Sequence, residues 1–323
     1  MERLDSWKGR RVFVTGATGV VGSWLVKELL EAGAQVCALV LDHDPQSELM
    51  RSGDARRCRL VDGRLENMAD VSRGIQVFEA EAVFHLGAQT LVGAAQRDPL
   101  ATFESNIRGT YNLLEVCRHA PSVKRVVVAS SDKAYGESDK PYVEDMPLFG
   151  KNPYDCSKSC TDLLAQCYFH SYGLPVAVAR CGNIFGGGDL NWSRIVPGVV
   201  RWLIRGERPV LRSDGKTTRD YFYVKDAAKA YMALGAAVGE KGVAGEAFNF
   251  SADTPVTTLA LVERIGKLMG QKVKPVIEDS ARNEIAHQRL SSAKARKVLG
   301  WKSTFSLDDG LRETINWYRA FLG

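Results

Sequence analysis

Five side chains in this sequence have the types and spacing to move protons on an alcohol: Ser131, Asp132, Lys133, Tyr154 and Lys158. In the stretch PYDCSK the tyrosine and lysine stand four apart, so on a helix they share a face. A free phenol titrates at about pH 10, too high for a base at neutral pH. A neighbouring ammonium favours the phenolate and lowers that value. A serine hydroxyl beside the phenol would hold an alcohol in line with it. This is a device for taking the proton from a sugar hydroxyl while hydride leaves the same carbon. The adjacent Asp132 and Lys133 add a second pair for proton transfer, so an enzyme acting on sugars is expected.

A hydride needs an acceptor, and TGATGVVG supplies a place for one. Gly16, Gly19 and Gly22 follow the apolar run RVFVTG and open the amphipathic stretch VVGSWLVKELLEAG. Glycines at this spacing allow a tight turn, close approach of a pyrophosphate and close packing of helix on strand. The helix start, with Thr18, Val20 and Val21, offers unpaired N–H groups and a favourable dipole to phosphate. Asp42 ends the next strand-like run, AQVCALVLD. A carboxylate there accepts hydrogen bonds from a ribose and repels a 2′-phosphate, which predicts NAD rather than NADP.

The elements that must position these residues follow from pattern. Short Val-rich runs alternate with amphipathic stretches through RVFVTG, AQVCALVLD, RCRLVDG, EAVFHLGAQ, VKRVVVASS and LPVAVARCGN. Near-continuous apolar strands between helices predict an α/β fold with a doubly wound, mostly parallel sheet. PLATFESNIRGTYNLLEVCRHA and PYDCSKSCTDLLAQCYFHSYG read as long helices, and GEAFNFS as a strand returning to the sheet. After about residue 183 the rhythm changes to a helix-rich second lobe. The expected division is a cofactor domain over 1–182 with a returning segment 221–251, and a substrate domain over 183–220 and 252–323. The 323 residues are 45% apolar and carry a net charge of +5 without a basic stripe. That suits small anionic ligands and argues against nucleic acid. No apolar run reaches a membrane span. The start MERLDSWKGRR has no apolar leader core, and the seven cysteines have no CxxC pair. Reduced thiols in a cytoplasmic protein are expected.

The glycine trio, Tyr-x-x-x-Lys and the upstream serine together resemble the extended short-chain dehydrogenase/reductase family over essentially the whole chain. FHLGAQ is similar to its fourth-strand motif, Asn106 in ESNIRGTYNLLE to its helix asparagine, and RCGNIFGGGD, RDYFYVKDAA and KVLGW to its later markers. The resemblance implies a Rossmann-like domain with a small C-terminal nucleotide-sugar domain. It also implies a homodimer packed through the helices near 100–119 and 153–172. It adds Leu65, Leu86, Gly87, Ala88, Gln89 and Asn106 to the cofactor positions, beside Tyr154 and Lys158. The third-strand motif usually reads Gly-Asp-apolar. Here it is Gly63-Arg64-Leu65, and Arg64 either stacks on adenine or points to solvent. Asn183, Arg219 and Arg282 match positions that meet the nucleotide diphosphate, with Arg194 as a further candidate, because the arginine fork pairs with phosphate oxygens. His85 is read as a buried strand-end histidine.

Within the family, Ser131-Asp132-Lys133 is similar to the triplet of CDP-glucose 4,6-dehydratases. The dTDP-glucose enzymes carry Thr-Asp-Glu, and the 4-epimerases small, non-acidic residues after the serine or threonine. The implied reaction oxidises C4 of a nucleotide-bound hexose, eliminates water across C5–C6 and returns hydride to C6. Asp132 is then the acid and Lys133 the base. A 4-epimerase, which needs neither, and a non-catalytic NAD-bound regulatory protein are the other readings.

Overall fold

Strands rich in Val, Ala and Phe without alternation cannot turn either face to water, and here only the short edge strand Arg59–Asp62 is largely exposed. The computed structural model describes residues 5–280 and 285–323. Seven strands form one sheet: β1 (Arg11–Thr15), β2 (Gln35–Val40), β3 (Arg59–Asp62), β4 (Ala82–His85), β5 (Arg125–Ala129), β6 (Val176–Cys181) and β7 (Ala247–Phe250). Their spatial order is β7-β6-β5-β4-β1-β2-β3, and every pairing is parallel. Alternate residues feed two separate cores. Val12, Val14, Phe84 and Val127 pack with Leu25, Leu29, Ala227 and Tyr231 from the helices Val20–Glu31 and Val224–Ala237. Phe13, Val83, Val126 and Val128 pack on the other face with Leu113, Leu114 and Ala165. This is the doubly wound, Rossmann-like architecture expected from the alternation. Strand order reverses between β1 and β4, which places the ligand crevice at their C-terminal ends.

The expected helix over 99–119 is not uniform. It runs as α-helix over Pro99–Phe103, widens to a π-turn over Glu104–Arg108, and resumes as α-helix over Gly109–Arg118. The widened turn falls on Asn106, and such turns concentrate at functional sites. The helix Pro153–Tyr172 lies alongside. Asn152 precedes it, Pro153 occupies its first turn, and Gly173 ends it at φ +67°.

Beyond β6 the chain forms short strand pairs and a cluster of helices. Asn183–Phe185 pairs with Tyr221–Tyr223, Thr218–Arg219 with Val256–Thr257, and Val210–Leu211 with Val276–Ile277. The helices Ile195–Ile204, Thr258–Leu268 and Leu307–Leu322 pack on one another. The segment 285–290 is laced beside Thr218–Asp220. Thr218 N donates to Ala286 O (2.9 Å), Gln288 N to Thr218 O (3.0 Å) and Leu290 N to Asp220 Oδ2 (2.8 Å). Tyr142 N fixes the same segment from the other side through Arg289 O (2.7 Å). Among the described residues no helix is long and apolar enough to cross a membrane.

Candidate active site

One cleft of about 1650 Å³ crosses the C-terminal ends of the strands. Single small-molecule pockets measure roughly 300–1,000 Å³, so this one accommodates two ligands side by side. Its first half is the turn after β1. Gly16 sits at φ +71°, and a Cβ on it would lie 2.7 Å from Gly87 N. A Cβ on Gly22 would lie 2.0 Å from Gly16 O. Both glycines are therefore required by backbone packing. Gly19 is the N-cap of the helix Val20–Glu31, is exposed, and provides no side-chain cap. The first N–H groups of that helix are thus left to an anion, which fits the pyrophosphate of a dinucleotide. Thr18, Val20, Val21, Asp42, Leu65, Leu86, Gly87, Ala88 and Gln89 line the same half, and so does Arg64.

Asn106 departs from the expectation. It is buried and does not line the cleft. Its Oδ1 accepts from Gln89 N (2.7 Å), and its Nδ2 donates to Gln89 O (2.9 Å) and Ser157 Oγ (2.9 Å). The π-turn carries it to a position where its amide clamps the β4 loop to the Tyr154 helix. His85 supports the same loop. Thr110 Oγ1 gives its proton to Asn106 O (2.6 Å), so it accepts from His85 Nε2 (3.0 Å). Nδ1 then accepts from Thr15 Oγ1 (2.9 Å), which itself accepts from Gly87 N (2.9 Å). Burial, reinforced by the Lys158 charge, pushes the imidazole down to about 3, so it stays neutral.

The second half of the cleft gathers Ser131, Asp132, Lys133, Tyr154 and Lys158. Ser131 follows β5, and its hydroxyl accepts from Lys133 N (3.2 Å), which caps the turn Asp132–Tyr135. That hydroxyl donates to Asp132 Oδ1 (3.0 Å) and is hydrogen-bonded with the Tyr154 phenol. Burial pushes the phenol up to about 12, and the opposing pull comes from Ser131 and the Arg194 charge. Lys158 Nζ donates instead to Ala129 O (2.8 Å), and burial pushes its ammonium down to about 8. Asp132 is buried, and desolvation raises its carboxyl, against the opposing pull of the Lys133 ammonium and Ser131.

Two residues that spacing did not single out join this half. Gln288 is fully buried; its Nε2 donates to Asp132 Oδ2 (3.2 Å) and its Oε1 accepts from Lys133 Nζ (3.1 Å). It lies in EIAHQRL, too far along the chain for any spacing rule to join it to Asp132 and Lys133. Asp155 also lines the cleft. Its Oδ2 accepts from Asn152 Nδ2 (3.1 Å), whereas its buried Oδ1 has no partner among the described residues. Its place in PYDCSK gave no signal, because neighbours along a helix do not face the same way.

Toward the second lobe, Asn183, Arg194 and Arg219 line the cleft. Asn183 Nδ2 is buried without a hydrogen-bond partner among the described residues. Arg194 is held by Asp189 (3.0 Å), and Arg219 Nη1 donates to Thr218 O (2.9 Å). Arg282 lies outside the described residues.

Comparison with known proteins agrees with this geometry. The chain is 29% identical to the CDP-glucose 4,6-dehydratase of Salmonella typhimurium, over 98% of this chain and 92% of that one. The crystal structure of a UDP-glucose 4-epimerase from Thermotoga maritima with UDP-glucose superposes with a TM-score of 0.89 at 28% identity, covering 97% of this chain and 100% of that one. A dTDP-glucose 4,6-dehydratase from Streptomyces venezuelae, solved with NAD bound, superposes at 0.86 and 27%, covering 96% and 97%. Dehydratases and epimerases stand equally near. The family model described as "NAD dependent epimerase/dehydratase family" matches residues 12–250. With its glycine turn, its buried Ser–Tyr–Lys set and a cleft sized for two ligands, the chain belongs to the NAD-dependent epimerase/dehydratase family of enzymes.

Proposed function

We propose that the protein is a nucleotide-sugar 4,6-dehydratase, converting a nucleoside-diphosphate hexose to its 4-keto-6-deoxy form. One observation carries this reading. Beside the Ser131–Tyr154 pair that an alcohol oxidation needs stands a second proton-transfer pair, the buried Asp132 and the half-buried Lys133, joined through the buried Gln288. A 4-epimerase has no use for it.

NAD, when bound, supplies the acceptor for the C4 hydride and its donor to C6. Gly16, Gly19 and Gly22 would cradle its pyrophosphate, and Asp42 and Leu65 its adenosine half. Tyr154 takes the C4 hydroxyl proton while Ser131 holds that hydroxyl in line, and Lys158 orients the ribose. The 4-ketone acidifies C5. Lys133, as its free amine, removes the C5 proton; the electron pair of the broken C–H bond forms the C5–C6 double bond. The C6–O bond breaks, and the oxygen leaves as water with a proton from Asp132. Desolvation raises that carboxyl, the direction an acid in this step needs. The proton Tyr154 gains and the one Asp132 gives up balance through solvent, and the C5 proton returns from Lys133. Asn183, Arg194, Arg219 and Arg282 would hold the diphosphate. The Ser-Asp-Lys triplet and the Salmonella relative favour a cytidine nucleotide.

Two further points belong to this reading. The strands and helices over 1–182 and 221–251 form the cofactor domain, and 183–220 with 252–323 the substrate domain. The protein acts as a homodimer through the helices near 100–119 and 153–172, which expose Leu100, Leu163 and Tyr172. Sedimentation at micromolar concentration should give twice the chain mass of 35.5 kDa, and Leu163→Glu should halve it.

The deciding experiment is mass spectrometry after incubation with NAD and CDP-, dTDP-, UDP- and GDP-hexoses. The expected product is lighter by one water. Interconversion of C4 epimers with no mass loss would instead make the protein an epimerase.

A further inference from the structure

Gln288 stands 155 residues from Lys133 in sequence and 156 from Asp132, yet its amide meets both side chains. Three anchors hold it there: its own N–H on Thr218 O, Leu290 N on Asp220 Oδ2, and Arg289 O under Tyr142 N. The side chain is fully buried, so both ends of its amide must be satisfied inside the protein. They are satisfied on an acid and a base. A primary amide is neutral and offers a donor and an acceptor at fixed separation. It can therefore stand between a carboxyl group and an amine without itself taking or giving a proton. A carboxyl and an amine left in contact would pass the proton directly between them, and the resulting ion pair is neither acid nor base.

We propose that Gln288 is the positioning residue of the water-eliminating step, keeping Asp132 and Lys133 apart as separate acid and base. The proposal rests on the dehydratase reading. It divides the site into two devices: Ser131, Tyr154 and Lys158 for oxidation at C4, and Asp132, Gln288 and Lys133 for loss of water across C5–C6.

The test uses the whole enzyme with NAD and the nucleotide hexose that the wild type dehydrates. Gln288→Leu removes both amide contacts at similar volume, and water loss should fall about 100-fold, the low end of what acid–base groups contribute. In a single turnover of the same variant, absorbance of the reduced cofactor should rise and persist, because C4 oxidation continues while the next step stalls. Gln288→Glu keeps an acceptor for Lys133 but can donate to Asp132 only when protonated. Its dehydration rate should climb as pH falls, relative to the wild type. Gln288→Leu overturns the proposal if it dehydrates within about twofold of wild type, or if it loses C4 oxidation in step with water loss. Should that variant fail to fold, a Gln288→Glu profile parallel to the wild type overturns it. A wild type that epimerises but never loses water refutes the dehydratase reading itself, and the proposal falls with it by a result distinct from any given by the variants.

Discussion

Tyr154 lies in the free chain with its phenol pushed up to about 12 by burial, while Lys158 is spent on a backbone carbonyl. A phenol in that condition acts as a base only when it can pass its proton on, so Ser131 and the neighbouring cations matter to it. Tyr154→Phe should lower turnover by at least about 100-fold while leaving dinucleotide binding, read by calorimetry, within a few fold. Asp132→Asn keeps shape and hydrogen bonding but removes the acid; it should abolish water loss yet leave C4 oxidation, visible as persistent reduced cofactor. The residue types of this site were legible in the sequence because the chemistry needs a phenol, an amine and a hydroxyl at helix and strand-end spacing. Their protonation was not, since burial sets it. Gln288 and Asp155 were not legible either. The first arrives from across the fold, and the second faces the cleft only because it stands in the first turn of its helix.

At the scale of elements, the β1 turn, β4 and the π-turn are tied by one chain of hydrogen bonds running Gly87–Thr15–His85–Thr110–Asn106. The neutral imidazole in the middle makes it sensitive to acid. Burial pushes the folded His85 down to about 3 from the ordinary imidazole value of 6.5, so the unfolded chain binds the proton first. Stability is full above pH 6.5 and is lost as pH falls from there toward 3, by no more than about 5 kcal/mol. Thermal melting across that range should show the slope, and His85→Asn, though less stable at pH 7, should show a shallower one. Gly22→Ala drives a Cβ against Gly16 O and should cost about 1–3 kcal/mol, with a matching loss of dinucleotide affinity. Every strand of the sheet was legible as an apolar run. The π-turn was not, because apolar periodicity reports which face is buried, not one extra residue within a turn.

On the scale of the whole molecule, a buried polar network ties two strands of the sheet to the helix Pro153–Tyr172 and to the stretch 135–144. Arg180 on β6 donates to Asp162 through Nε (2.7 Å) and Nη2 (3.0 Å), and through Nη1 to Tyr135 Oη (2.7 Å) and Glu144 O (3.0 Å). Tyr135 Oη donates in turn to Asn249 on β7 (2.8 Å), whose Nδ2 reaches Tyr142 O (3.1 Å). Asp162→Asn leaves the guanidinium buried without its counter-charge and should destabilise the fold by about 3–5 kcal/mol in urea unfolding. The sequence contained every member of this network but no clue that they meet, since they come from five separate stretches between residues 135 and 249.

The lacing of residues 285–290 onto Thr218–Asp220 also sets an order in time. A chain made from its N-terminus has the glycine turn, Ser131, Tyr154 and Lys158 in place by residue 158. Residue 288 follows more than a hundred residues later. On the reading proposed here, the nascent protein holds its oxidising residues well before it can shed water, and a segment translated more than a hundred residues later decides what becomes of the ketone.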